Sequence, residues 1–128
     1  MRQLKKILHI DDDSMMQMMV KKSIERSNKG FEIICCTSAA QFIEHLSTFE
    51  PDLLIIDVSM PILDGPHLLE KVRNLSNTTP AIFMTGHETI ELEDQAKLEP
   101  IIGVIHKPFS PVSIGDDLLK LWSAYLEG

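Results

Sequence analysis

Residues 51–65 read Pro51-Asp-Leu-Leu-Ile-Ile-Asp57-Val-Ser-Met-Pro61-Ile-Leu-Asp-Gly65. The apolar run 53–56 lies between Pro51 and a loop with a second proline and an Asp-Gly pair. This pattern is typical of a strand that is buried on both faces. The strand ends at Asp57, and ligands of open α/β sheets bind beyond the carboxyl ends of the strands. Asp57 is therefore a candidate reactive group.

Similar apolar segments occur at 7–10, 31–36, 81–84 and 101–105, and helical patterns lie between them. We predict helices over 14–28, after Ser38, from Gly65, over 88–98 and from Pro111. Ser14 and Ser110 are the candidate N-caps of the first and last helices, and Gly30 closes the first. The alternation predicts a doubly wound (flavodoxin-like) α/β fold in (βα)5 order. Five parallel strands would form the middle layer of a three-layer sandwich, with residues 1–128 as a single domain.

Each predicted helix except 88–98, which is weakly apolar, carries an apolar stripe that we expect to face the sheet. The stripes are Met16, Met19, Val20 and Ile24; Phe42, Ile43 and Leu46; Leu68, Leu69, Val72 and Leu75; and Ile114, Leu118, Leu121 and Tyr125. Met15 and Met18 fall outside the first stripe. Trp122 fits either a partner-facing surface or ordinary packing.

The composition restricts the class of protein. The formal net charge of −7 argues against direct nucleic-acid binding, because no basic stripe is available to neutralise phosphates. No apolar run approaches the length of a membrane span, and the N-terminus lacks a signal-peptide core. We therefore expect a cytoplasmic protein without membrane contact.

Cys35 and Cys36 are adjacent, which is not the spacing of a redox or zinc pair, and we interpret them as small hydrophobic residues.

The predicted strand ends carry Asp11 and Asp12, Asp57, Thr85 and Lys107. In a doubly wound sheet these ends share one edge, so the side chains can cluster. Three clustered carboxylates repel one another, and either protons or a cation must relieve that repulsion. Oxygen-only ligands favour Mg²⁺, with Mn²⁺ as an alternative occupant.

Such a site has the chemistry to accept a phosphoryl group. The cation and the Lys107 ammonium would balance charge on the phosphoryl oxygens, Thr85 would supply a hydroxyl, and Asp57 would attack in line to give an aspartyl phosphate. Taken singly, each residue has an ordinary explanation: a helix-terminal acidic cluster, a strand-end hydroxyl and a solvated lysine. Their joint occurrence at four strand ends favours one shared site.

Four segments carry a family resemblance: Ile7-Leu-His-Ile-Asp-Asp-Asp13, the segment 51–65, Phe83-Met-Thr-Gly86 and His106-Lys-Pro-Phe-Ser-Pro111. They resemble the CheY-like receiver domain of two-component response regulators. The resemblance implies Mg²⁺-dependent transfer of a phosphoryl group to Asp57 from a histidine kinase or a histidine phosphotransfer protein. It implies a switch for an unidentified downstream protein, not an enzyme.

The resemblance also implies a role for individual residues. Asp12, Asp57 and the backbone carbonyl of Ser59 would bind the metal ion, with Asp11 acting through water. Thr85 would move toward the phosphoryl group and Lys107 would pair with it.

Other positions would modulate the reaction. Ser59 and His87 occupy positions that tune the lifetime of the phosphoryl group in the family. Met15, Met18 and Pro108 would contact the phosphodonor. The Lys107–Pro108 peptide bond is often cis in the family. Val104 replaces the usual aromatic residue, so we expect output through shifts around 85–98.

Other functions on the same architecture remain as alternatives. A flavin or nucleotide site would need a Gly-rich phosphate cradle after the first strand, where residues 11–13 are acidic. A haloacid-dehalogenase-like phosphatase would need a second aspartate at the position of Ser59. A purely structural receiver relative would not need all of the acidic and switch residues.

Overall fold

The computed structural model of the protein describes residues 2–86 and 95–128. Strands and helices alternate through this part of the chain. They are β1 (Lys6–Ile10), α1 (Ser14–Arg26), β2 (Glu32–Cys36), α2 (Ala39–Thr48), β3 (Leu53–Asp57), α3 (Gly65–Asn74), β4 (Ala81–Thr85), α4 (Gln95–Leu98), β5 (Ile101–His106) and α5 (Ile114–Glu127). All strand pairs are parallel, and the sheet order is β2-β1-β3-β4-β5. The predicted doubly wound fold is confirmed.

Alternating strand residues divide the core into two layers, because successive side chains of a strand point to opposite faces. Ile7 and Ile55 pack with α1 and α5 on one face, whereas Leu8 and Ile56 pack with α2 and α3 on the other. Trp122 belongs to the first layer, is 3% exposed, and its indole N–H donates to the Arg2 carbonyl at 3.3 Å. Its role is therefore internal packing.

One arginine joins the loops on either side of β4. The Arg73 guanidinium, on α3, donates to the carbonyls of Asn77 (3.1 Å) and Thr79 (2.8 Å). It also donates to the carbonyls of Leu98 (2.9 Å) and Pro100 (3.1 Å). The α3–β4 and α4–β5 connections are thus held by a single side chain.

Two predicted N-caps are wrong. The Asp13 carboxylate, not Ser14, caps α1, since it accepts hydrogen bonds from the N–H groups of Met15 (2.9 Å) and Met16 (3.3 Å). The last helix begins at Ile114 and not at Pro111, because 111–113 form a turn in which the Ser113 N–H donates to the Ser110 hydroxyl.

Two predicted core residues are exposed. Met19 is 46% exposed because the buried face of α1 passes through Val20, Ser23 and Ile24. Leu75 is 59% exposed because α3 ends at Asn74 and Leu75 leaves the helix as its C-cap.

The remaining helix boundaries differ in smaller ways. The first helix ends at Arg26, and Gly30 follows with a φ of +77°, a backbone conformation that glycine adopts without strain. Of the predicted helix 88–98, the structure describes only Gln95–Leu98 as α4. Among the described helices, none is both long enough and apolar enough to cross a bilayer.

Candidate functional site

The predicted acidic cluster forms where the chain order of the sheet reverses, between β1 and β3. Asp11 follows β1, Asp57 ends β3, and the two strands are neighbours. One carboxylate oxygen from each of Asp11, Asp12 and Asp57 lies within 4.8 Å of the other two. Asp11 and Asp57 are 1% and 3% exposed, whereas Asp12 is open to solvent. The sheet thus brings together all three predicted carboxylates.

The donor set fits a hard divalent cation. Its side-chain ligands are oxygens only, two carboxylates are buried, and the third lies at the open side where water can complete a coordination shell. Mg²⁺ is bound in proteins by one or two carboxylates and retains several waters. Mg²⁺ therefore suits this cluster better than a metal that prefers nitrogen or sulfur.

Lys107 connects two of the carboxylates. Its ammonium nitrogen lies 3.0 Å from Asp57 Oδ1 and 3.1 Å from Asp11 Oδ2. Burial alone would lower the pKa of Lys107, but hydrogen bonds to both carboxylates and their charges outweigh burial, so the pKa is raised. The lysine stays protonated, and three carboxylates against one ammonium leave an excess of negative charge.

Several interactions shift the pKa of Asp57 in opposite directions. Burial raises the pKa of its carboxyl group, the hydrogen bond from Lys107 opposes this shift, and the Asp11 charge adds to it. The backbone N–H of Ser59 also donates to Asp57 and favours the ionised form. Without Lys107, the carboxylate would be harder to keep deprotonated.

Thr85 lies at the end of β4 and is 1% exposed. Its carbonyl accepts the Lys107 N–H at 2.7 Å, which fixes the start of the segment that carries the lysine. The Lys107–Pro108 peptide is cis, as the resemblance implied. The strand ends therefore place Thr85 and Lys107 at the same edge as the acidic cluster.

The residues predicted for docking and tuning lie around this edge. Met15 and Met18 are 73% and 57% exposed on α1, and Pro108 is exposed after β5. Ser59 is exposed in the β3–α3 loop, and His87 lies outside the described residues. Their functional roles remain predictions.

Gly65 packs against the backbone of the candidate nucleophile. A Cβ atom at this position would lie 2.5 Å from the Asp57 carbonyl oxygen and 3.1 Å from Val58 Cα. We expect Gly65→Ala to lower the free energy of unfolding by about 1–3 kcal/mol, because backbone must move to relieve the overlap. Urea unfolding measures this effect. Gly86→Ala is the matched control, since a Cβ there meets nothing within 4 Å, and equal losses in both variants would contradict the packing argument.

Two residues beside the site have an environment that the sequence did not reveal. His9 is fully buried on β1, and neither ring nitrogen has a hydrogen-bond partner among the described residues. Its position two residues before Asp11 on a buried strand was the available signal. Gln17 donates from its side-chain amide to the carbonyls of Asp11 and Cys36, and no sequence motif indicated this contact.

The cysteines agree with their interpretation as hydrophobic residues. Cys36 is buried, Cys35 is half-buried, and burial raises the pKa of both thiols to about 11. Thiols of this kind contain little of the reactive thiolate at neutral pH.

Comparison with known proteins gives the family. The model of the response regulator receiver domain matches residues 7–118. The alkaline phosphatase synthesis transcriptional regulatory protein PhoP of Bacillus subtilis is 30% identical over 110 residues, which cover 84% of this chain and 44% of that protein. The DNA-binding transcriptional regulator NtrC of Escherichia coli is 30% identical over 102 residues, which cover 78% of this chain and 21% of that protein.

Solved structures show the same fold. The chemotaxis protein CheY4 of Vibrio cholerae matches with a TM-score of 0.77 at 24% identity, covering 93% of this chain and 99% of that chain. The chain spans less than half the length of the two curated relatives. These matches do not favour the phosphatase or flavodoxin-like alternatives. The chain therefore belongs to the response regulator receiver domain family, the signalling switches of two-component systems.

Proposed function

We propose that Asp57 is the phosphoacceptor of this receiver domain and that Thr85 and Lys107 are its switch residues. The observation that carries this proposal is the Lys107 ammonium, which lies between Asp57 and Asp11 beside a cluster of three carboxylates. An ammonium at this position can pair first with the carboxylates and then with an oxygen of an incoming phosphoryl group, where it balances the negative charge.

We further propose that the acidic cluster holds Mg²⁺, with Mn²⁺ as an alternative occupant. Asp12, Asp57 and the Ser59 carbonyl would ligate the ion directly, and Asp11 would act through water. When bound, the cation balances charge on the carboxylates and on the phosphoryl oxygens.

The side chains of this chain then perform distinct steps. An ionised oxygen of Asp57 attacks phosphorus, the bond between phosphorus and the donor imidazole nitrogen breaks, and the electron pair of that bond returns to the imidazole. Lys107 transfers its hydrogen bond from the carboxylates to a phosphoryl oxygen. The Thr85 hydroxyl donates to another. The domain assists its own phosphorylation and dephosphorylation and is not an enzyme for other substrates.

The donor would be a histidine kinase or a histidine phosphotransfer protein. Exposed Met15 and Met18 form an adaptable apolar surface on α1, and Pro108 would extend the contact. Phosphorylation would change binding of a downstream protein, with Ser59 and His87 tuning phosphoryl lifetime. Val104, 41% exposed on β5, has no ring to reorient, so the response would pass through residues 85–98.

We propose that residues 1–128 act as one receiver domain in the cytoplasm, without direct contact with nucleic acid or membrane. The net charge of −7 supports the first exclusion, because phosphate backbones select basic surfaces.

Acetyl phosphate, a small phosphodonor, tests the proposal. With Mg²⁺, the protein should gain one phosphoryl group by intact mass spectrometry, and the adduct should be absent when the metal is chelated. Asp57→Asn should gain none, because an amide is not a nucleophile for this reaction.

Asp116→Asn is the matched control, because it makes the same chemical change at an exposed carboxylate on α5. It should be phosphorylated like the wild type. An adduct that persists in Asp57→Asn would contradict the assignment of the phosphoacceptor.

A further inference from the structure

Gln17 connects residues 11–13, here called the acidic loop, to the end of the neighbouring strand β2. It lies half-buried on α1, and its side-chain amide donates to the Asp11 carbonyl at 2.8 Å and to the Cys36 carbonyl at the end of β2. The Asp11 N–H donates to the same Cys36 carbonyl at 3.2 Å. Both hydrogens of the Gln17 amide are therefore directed at backbone around the first acidic residue.

The carboxylates of the acidic loop are held in different ways. Asp11 Oδ1 accepts the Asp13 N–H at 2.9 Å, and Asp11 Oδ2 accepts Lys107 at 3.1 Å. Asp12 is exposed, and its carboxylate has no hydrogen-bond donor within the described ranges. The direction of the Asp12 side chain therefore depends on the backbone that carries it.

Gln17 controls that backbone directly. The Asp11 carbonyl and the Asp12 N–H belong to one peptide group, which is planar. A hydrogen bond to the carbonyl fixes the plane, and the plane sets the direction in which the chain enters Asp12.

We propose that Gln17 is a positioning residue that orients Asp12 for the divalent cation. This inference rests on the proposed function of the acidic cluster. Residues that support metal ligands through hydrogen bonds typically change metal affinity by 10–100-fold when they are substituted.

Gln17→Met tests the role, since methionine keeps the length and helix propensity of glutamine but cannot donate hydrogen bonds. We expect its Mg²⁺ affinity, measured by isothermal titration calorimetry, to be about 10-fold weaker than that of the wild type. Amide chemical-shift changes of Asp12 and Asp13 on titration with Mg²⁺ should weaken in parallel. Neither measurement requires phosphorylation.

Gln41→Met is the matched control. Gln41 Oε1 accepts the Thr37 N–H at 3.1 Å, so this glutamine also holds a βα loop, but outside α2 its hydrogen bonds among the described residues go to Thr37 and Ser38 and not to residues 11–13. Its variant should bind Mg²⁺ like the wild type. Gln17→Asn, whose amide is one methylene too short, should show the same weakened binding as Gln17→Met and decides the question if the methionine variant does not fold.

Each outcome separates the hypotheses. Weaker Mg²⁺ binding in the Gln17 variants with normal binding in Gln41→Met supports the positioning role. Wild-type affinity in the Gln17 variants, or equal weakening in Gln41→Met, overturns it while the metal site stands. Absence of Mg²⁺ binding in the wild type overturns the proposed site and this inference together.

Discussion

Lys107→Met is expected to lower the free energy of unfolding at pH 7 by about 3–5 kcal/mol, the usual effect of removing one partner from a buried ion pair. The lysine side chain is 19% exposed, and the Asp11 and Asp57 side chains are 1% and 5% exposed. Its removal leaves two buried carboxylates without their shared cation. Chemical denaturation at fixed ionic strength measures the loss, and Lys120→Met, at an exposed position on α5, is the control.

The loss should diminish in acid. Burial and the Asp11 charge raise the pKa of Asp57, and the hydrogen bond and charge of Lys107 oppose that shift. Without Lys107, the pKa of Asp57 therefore rises further above its unfolded value. A raised folded-state pKa adds stability below the unfolded pKa, and that contribution is lost as pH rises through the folded pKa. The variant should therefore differ less from the wild type near pH 4 than at pH 7. An equal difference at both pH values would contradict the ion-pair explanation.

His9→Val is expected to stabilise the protein. Both nitrogens of the buried imidazole lack a partner in the described part of the chain, and valine fits a buried β-strand. A buried polar group without its hydrogen bonds costs about 1–3 kcal/mol, so the variant should gain this amount at pH 7. Urea unfolding of the two proteins gives the difference.

The gain should increase as pH falls. Burial and, to a smaller extent, the Lys107 charge together lower the pKa of His9 from the ordinary 6.5 to about 3. Between these values the unfolded wild type binds a proton that the folded protein does not, so wild-type stability falls with pH. The advantage of His9→Val should grow by about 1.4 kcal/mol per pH unit below 6.5.

His106→Val is the matched control for the loss of one imidazole, because His106 is exposed on β5. A constant difference between wild type and His9→Val from pH 7 to pH 5 would show that His9 is not held neutral in the folded state.

The sequence predicted the elements that depend on periodicity. Buried strands such as 53–56 are continuous apolar runs, and parallel strands must end at a common edge, so the cluster of Asp11, Asp12, Asp57 and Lys107 could be predicted from order alone. Periodicity and strand order could not decide which of two adjacent residues caps a helix when both have suitable side chains. Asp13 and Ser14 are both good N-caps, and only the backbone path determines which one lies at the helix start.

The sequence could not reveal contacts between polar side chains and backbone. Gln17 lies on the helix that connects β1 to β2, and no sequence pattern specifies that its amide reaches Cys36 at the end of β2. The spacing of Met19 with Met16, Val20 and Ile24 predicts a core position. In the structure Ser23 lies on the buried face instead, and its hydroxyl donates to the Met19 carbonyl at 2.7 Å. Tertiary packing overrides hydrophobic periodicity at such positions.

The Arg73 contacts determine where the chain tolerates a change of length. Surface connections normally accept inserted residues, because few interactions fix their backbone. The connection after α3 is different, since the carbonyls of Asn77 and Thr79 are both acceptors of the guanidinium that also binds Leu98 and Pro100. Domain insertion or circular permutation within 75–80 would therefore disturb two connections at once, so fusion partners belong elsewhere on the surface.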